Sequence, residues 1–158
     1  MKQLILGRHA KSTWKDKAID DIDRPLKESG ITEAYNVAKI LFKNDCFPDR
    51  IITSTANRAI HTALIYSRLL EYASKKIEIS SDLYLPSEKK LFKFISNLNN
   101  ENSSVMLVGH NPSFSSISNK VLEGHDIELS TSGVIVINFK INNWSEINTI
   151  KGELEFQI

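Results

Sequence analysis

The chain has 158 residues, 41% hydrophobic and 25% charged, with a formal charge of +1, which is the profile of one soluble globular domain over 1–158 with a real core. Near-balanced charge argues against nucleic acid as a partner, so any anion site must be local, and the lone Cys46 excludes an intramolecular disulfide and every multi-cysteine zinc pattern. No apolar run reaches the ~18 residues of a membrane span, and the chain opens on a strand rather than a charged segment and apolar helix; the expected compartment is the cytoplasm, with no membrane partner.

The first element, Leu4 to Leu6, is a short apolar run that stops at Gly7-Arg8-His9 and passes into Ala10-Lys11-Ser12, the pattern of a buried parallel strand delivering side chains to a loop. A charged, aperiodic stretch from Lys15 to Leu26 follows, closed by Pro25, and is predicted to be a long loop leaving the same strand end. Helical spacing of Ala34, Val37, Ala38, Leu41 predicts a helix from about Ser29 to Asn44. Ile51 to Ser54 is a second short strand, and a helix then runs to about Tyr72, with Ser54 or Thr55 as its N-cap and Arg58 in its first turn. A cation there opposes the helix dipole, which an anion placed opposite would relieve.

Lys76 to Ser80 alternates as a brief strand, and a helix with capping residues begins at Ser87. Val105 to Gly109 is the clearest central strand and ends on His110-Asn111-Pro112, before a helix from Phe114 to Leu122. Val134 to Phe139 is a further strand, and Trp144 to Ile150 is predicted as a last edge strand. Two strands in succession suggest an antiparallel finish to an α/β alternation: a mixed, mainly parallel sheet flanked by helices.

Three strands thus end on Arg8-His9, on Ser54 with Arg58, and on His110. If they are neighbours, Arg8, His9, Arg58 and His110 converge on one pocket. Paired guanidinium groups offer forked N–H donors suited to phosphate oxygens. One neutral histidine could attack phosphorus while the other donates to an oxygen where charge accumulates, and nearby guanidinium groups would lower the nucleophile's pKa. This arrangement calls for no metal and no cofactor.

Leu6 to Ser12, Asp23-Arg24-Pro25-Leu26, Thr53 to Ala59, Val108 to Pro112 and Ser130 to Gly133 resemble, in that order, the motifs of the histidine phosphatase superfamily, and within it the small phosphohistidine phosphatases related to bacterial SixA. The resemblance implies a three-layer α/β/α, phosphoglycerate mutase-like fold. It also implies His9 as phospho-accepting nucleophile and Arg8, Arg58 and His110 as the phosphate pocket. Ala10 stands where larger relatives have glycine. The acid that larger relatives supply as proton donor has no good match, and Leu83-Tyr84-Leu85 occupies its region.

Asp21 and Asp23 are candidate donors or substrate-binding groups, Glu88 is the next acid but reads better as a first-turn helix residue, and Lys11 and Ser12 are candidate phosphate-binding residues. A weak acid favours the P–N bond of phosphohistidine over ordinary phosphoesters. The small size leaves little room for lids, so the pocket should be open and suit a phosphohistidine-bearing protein such as a phosphotransfer domain. A small-molecule phosphomonoesterase and a non-catalytic phosphate-binding module are the alternatives. Trp14 reads as a lid, a partner contact or a packing anchor, and His61 and His125 read as surface residues.

Overall fold

The computed structural model describes residues 1–158. Its elements alternate: β1 (Lys2–Arg8), α1 (Glu28–Lys43), β2 (Arg50–Ser54), α2 (Asn57–Leu69), β3 (Glu78–Ser80), α3 (Glu88–Ser96), β4 (Ser104–Gly109), α4 (Ser113–Val121), then β5 (Val134–Phe139) and β6 (Glu153–Gln157). They build one six-stranded sheet in the order β3-β2-β4-β1-β5-β6. The first four of these strands are mutually parallel, and β5 and β6 are antiparallel to their neighbours.

Strand alternation divides the apolar side chains between two faces. Leu4, Leu6, Val105, Leu107, Ile135 and Ile137 point to one side, where α3 and α4 cover them with Leu91, Ile95, Phe114 and Ile117. Ile5, Met106, Val108, Val134 and Val136 point to the other, under Ala34, Ala38 and Leu41 of α1 and Ala59, Ala63 and Tyr66 of α2. Central strands buried on both faces read as unbroken apolar runs, as β1, β4 and β5 do. No helix is long and apolar enough to cross a membrane.

Three boundaries differ from the sequence reading. α2 ends at Leu69 rather than near Tyr72, because Glu71 adopts a left-handed φ of 55° that closes the helix. Only Glu78–Ser80 of the predicted third strand pairs; Ser74–Lys76 is a 3-10 turn. The predicted edge strand at Trp144 to Ile150 is absent. There Asn143 and Glu146 form a capping box on a 3-10 turn, Trp144–Glu146, that seats Trp144 in the core with its indole N–H on the Asn102 carbonyl. The last strand is Glu153–Gln157, whose outer positions are Glu153, Glu155 and Gln157.

What the fold does for function lies at the carboxyl ends of β1, β2 and β4. In the shared register Arg8 pairs with Gly109, and Thr53 with Val108, so the three strands terminate level with one another. The loop after β1 is tied to α1 by backbone bonds from Lys27 N–H to Lys11 O and from Thr13 N–H to Pro25 O, 2.9 and 3.0 Å. Gly30 makes this close approach feasible: a Cβ there would collide with the backbone of Lys11.

Gly30→Ala is therefore expected to destabilise the protein by about 1–3 kcal/mol, the usual cost of overpacking against atoms that cannot yield. A lowered urea midpoint with an unchanged m-value would show it.

Candidate active site

His9 stands just beyond the last residue of β1. Its Nδ1 lies 2.8 Å from the Ala10 carbonyl, and Arg58 Nε–H points at its Nε2 from 3.3 Å. A guanidinium can only donate, so Nε2 is the acceptor and Nδ1 carries the proton. The imidazole is thus held with the lone pair of Nε2 directed into the site. Ala10 is buried, its N–H donates to Thr62 Oγ1 at 3.0 Å, and its φ is not positive, so alanine serves where larger relatives have glycine.

Arg8 spans the same strand end. One Nη donates to the Leu129 carbonyl at 2.9 Å, while its Nε–H is buried with no protein partner. A buried donor left unpaired is costly unless a ligand accepts from it.

Arg58 occupies the second position of α2 and is 3% exposed. Its Nη1 donates to the Asp21 carbonyl at 2.6 Å and its Nη2 to Asp21 Oδ2 at 3.0 Å. Neither Ser54 nor Thr55 caps that helix; the N-cap is Ala56. The Ser54 hydroxyl instead accepts from Ala56 N–H and lies 2.8 Å from Nε2 of His110, which β4 delivers beside it. The rings of His9 and His110 are 5.1 Å apart between centroids. Arg8, His9, Arg58 and His110 therefore line a single open cavity of about 430 Å³.

The remaining candidates separate. Asp21 enters the cavity, whereas Asp23 is exposed and does not line it. Both lie in a 3-10 turn, Asp21–Asp23, where residues two apart leave the axis on different sides. Lys11 and Ser12 line the cavity, but the Lys11 ammonium pairs with Glu33 at 2.6 Å and the Ser12 hydroxyl accepts from Arg24. Glu88 sits in the first turn of α3, paired with Lys120 at 2.9 Å and away from the cavity. His61 and His125 are exposed.

Two residues that sequence reasoning did not assign to the site belong to it. Arg24, 7% exposed, donates to Asp21 Oδ1 at 2.8 Å, and Tyr84 donates to Asp21 Oδ2 at 2.7 Å while setting its ring edge-on to His110. The signal for Arg24 was its place beside Pro25 in the Asp-Arg-Pro-Leu motif. The signal for Tyr84 was its place in Leu83-Tyr84-Leu85, the stretch that occupies the region of the larger relatives' acid.

Electrostatics follow from this packing. Burial is the leading cause that lowers His9 to about 4, with the charges of Arg58, Arg8 and Arg24 adding to it and the Ala10 carbonyl opposing. Burial leads again for His110, lowered to about 3, with His9 and Arg58 adding. The guanidinium groups lower the nucleophile's pKa as the sequence reading expects, with burial as the larger cause. Burial opposes ionisation of Asp21, yet hydrogen bonds from Tyr84, Arg24 and Arg58 pull its carboxyl down to about 2. At neutral pH both histidines are neutral and the one acid in the cavity is a carboxylate.

Residues 4–84 match the sequence profile of the histidine phosphatase superfamily, branch 1. Over 159 aligned residues the chain is 28% identical to an uncharacterised chloroplast protein of Arabidopsis thaliana, covering 96% of this chain and 72% of that one. A 2,3-bisphosphoglycerate-dependent phosphoglycerate mutase of Chlamydia caviae is 33% identical over 103 residues, covering 58% of this chain and 44% of the mutase. Among solved structures, a protein of Agrobacterium tumefaciens provisionally assigned as the phosphohistidine phosphatase SixA superposes with a TM-score of 0.84. It is 27% identical, with 99% of this chain and 97% of that one covered. The mixed sheet and its four helices match the phosphoglycerate mutase-like fold of that neighbour.

Both histidines bind a proton less readily in the fold than at their ordinary value of 6.5, so the unfolded chain takes up more protons as pH falls. Stability is expected to be level above about pH 7 and to fall continuously from about 6.5 downward, first as His9 and His110 take up protons in the unfolded chain, with folded values of about 4 and 3, and below 3.8 also as Asp21 protonates, down to about 2. In His9→Gln the fall between 6.5 and 4 becomes shallower, which melting temperatures across pH would record.

Proposed function

The chain belongs to the histidine phosphatase superfamily, branch 1, and from that premise we propose that it is a metal-independent phosphatase that removes phosphate from phosphohistidine carried by a protein. The observation that carries this reading is that the cavity combines a strong anion site with no acid protonated at neutral pH: Asp21 is held near 2, and Tyr84, hydrogen-bonded to it, is raised above its ordinary value.

In this proposal His9 Nε2 attacks phosphorus in line with the bond to the leaving nitrogen. Arg8, whose Nε–H has no protein partner, and Arg58 neutralise the equatorial oxygens, and His110 faces the same group. The guanidinium charges do the work that a metal would do in other phosphatases. As the P–N bond breaks, its electron pair returns to the leaving imidazole, whose second nitrogen is already protonated near neutrality, so the product leaves as neutral imidazole without an enzyme acid. An alkoxide has no such provision.

The second half-reaction uses the same device. Because Nδ1 of His9 keeps its proton on the Ala10 carbonyl, the phosphorylated ring is cationic and is itself a good leaving group. Water attacks phosphorus, the P–N bond returns its pair to Nε2, the water proton passes to phosphate and solvent, and neutral His9 is restored. An open cavity accommodates a phosphohistidine that projects from a protein surface such as that of a phosphotransfer domain. The mutase match favours the second reading, a small-molecule phosphomonoesterase.

The test is kcat/KM on a phosphorylated phosphotransfer domain beside p-nitrophenyl phosphate and a sugar phosphate, with EDTA present. The phosphohistidine substrate is expected to lead the sugar phosphate by about 10²-fold or more, the usual worth of a general acid that the ester lacks here. His9→Ala should abolish turnover, and an alkali-stable phosphoryl label should map to His9. Efficient sugar phosphate turnover, with phosphohistidine slow, would overturn this reading in favour of the second.

Because His9 is neutral down to about 4, kcat/KM for phosphohistidine should hold level from pH 7 to about 5 on the enzyme side and fall only below that. A steep loss already at pH 6.5 in the free enzyme would contradict the neutral-nucleophile mechanism.

A further inference from the structure

Charged groups at the floor of the cavity hold phosphate but do not choose what the phosphate is attached to. That choice falls to the mouth. Among the residues lining the cavity only Trp14 and Leu85 are apolar, and both are held out to solvent, 66% and 54% exposed. Leu85 is held there in a left-handed backbone conformation, φ 44°, which leucine adopts only at a cost in strain.

Trp14 is exposed but not loose. Its indole lies on the guanidinium of Arg24, with Cζ 3.3 Å from the ring centroid. Arg24 in turn is buried and spent in every direction: Nε donates to the Thr13 carbonyl, Nη1 to Asp21, and Nη2 to the Ser12 hydroxyl. Asp21 is the carboxylate that also holds Arg58. The same ion-pair network therefore fixes the phosphate-binding arginine and, through Arg24, a flat aromatic plate at the edge of the site. One face of that plate rests on Arg24, and the exposure of the side chain leaves the other available.

We propose that Trp14, seated on Arg24, is a specificity-determining shelf on which the imidazole ring of phosphohistidine stacks while its phosphoryl group occupies the floor beside His9. The proposal rests on the phosphohistidine reading above and names the residue that would recognise the leaving group. Aromatic pairs in offset or edge-on geometry add attraction beyond simple burial. A sugar offers no aromatic ring to that plate, so this ring-on-ring attraction is confined to a substrate whose leaving group is aromatic. The aromatic shelf thus discriminates in the same direction as the absent acid, by a separate physical route.

A pair of P–N substrates isolates the ring: a phosphohistidine peptide, and phosphoramidate, which has the same bond and no ring. In Trp14→Ala the ratio of kcat/KM for the peptide over that for phosphoramidate is expected to fall about threefold to tenfold, mainly through KM, and Trp14→Phe should restore most of it. Arg24 keeps its three partners when the indole is removed, so the variant should melt close to the wild type. An equal loss on both substrates would overturn the shelf, leaving Trp14 as a prop for Arg24, as would a ratio that does not change. Wild-type protein that hydrolyses sugar phosphate and neither P–N substrate would instead overturn the phosphohistidine reading, and the shelf with it.

Discussion

A buried cation at the wrong end of a helix is the constraint around which this molecule is arranged. Arg58 lies in the first turn of α2, where the helix dipole opposes it, and is almost wholly removed from water. Asp21 answers the charge from the loop after β1. By accepting from Arg58, Arg24 and Tyr84 together, that carboxylate gathers the loop after β1, the start of α2 and the segment after β3 onto the three strand ends. Burying a cation so deeply is tolerable because each of its three nitrogens donates to an acceptor, Nε to His9 and the two Nη to Asp21, while among the arginines Arg8 keeps a buried Nε–H without a protein partner.

The consequence is a division of labour between charge and proton. Burial keeps both histidines neutral at neutral pH, so His9 Nε2 retains the lone pair that the proposed mechanism uses. The hydrogen bonds that neutralise Arg58 also strip Asp21, so the site contains the groups that accept a phosphoryl transfer but not the one that would protonate a poor leaving group. A substrate that brings its own proton fits that deficit. The network that creates the deficit also carries Arg24, and with it the exposed indole at the mouth. Floor and mouth are therefore mechanically one piece.

Much of this was legible in the chain itself. Unbroken apolar runs marked β1 and β4 as buried strands, and the polar residues after β1, β2 and β4 marked where chemistry could stand. Capping chemistry was legible too: Asn143 with Glu146 is a turn signature inside the stretch that the sequence reading predicts as an edge strand, Trp144 to Ile150. Asp21 and Asp23 could not be told apart, since two aspartates in an aperiodic stretch look alike until a 3-10 turn sends them to different sides. Tyr84 was marked only as lying where larger relatives carry their acid; that its hydroxyl donates to Asp21 is a contact across 63 residues of sequence, which no local pattern encodes.

The sequence by itself determined the elements from β1 to β5, the apolar faces of the strands and the identity of Arg8, His9, Arg58 and His110 as groups at element ends, because periodicity and strand termination are local properties of a chain. The tertiary structure alone decided that β2, β4 and β1 are neighbours ending in register, that Asp21 rather than Asp23 or Glu88 stands in the site, and that Ser54 serves His110 instead of a helix cap. Strand order, burial and the resulting proton affinities depend on which distant segments exclude water from one another, and no local pattern encodes that.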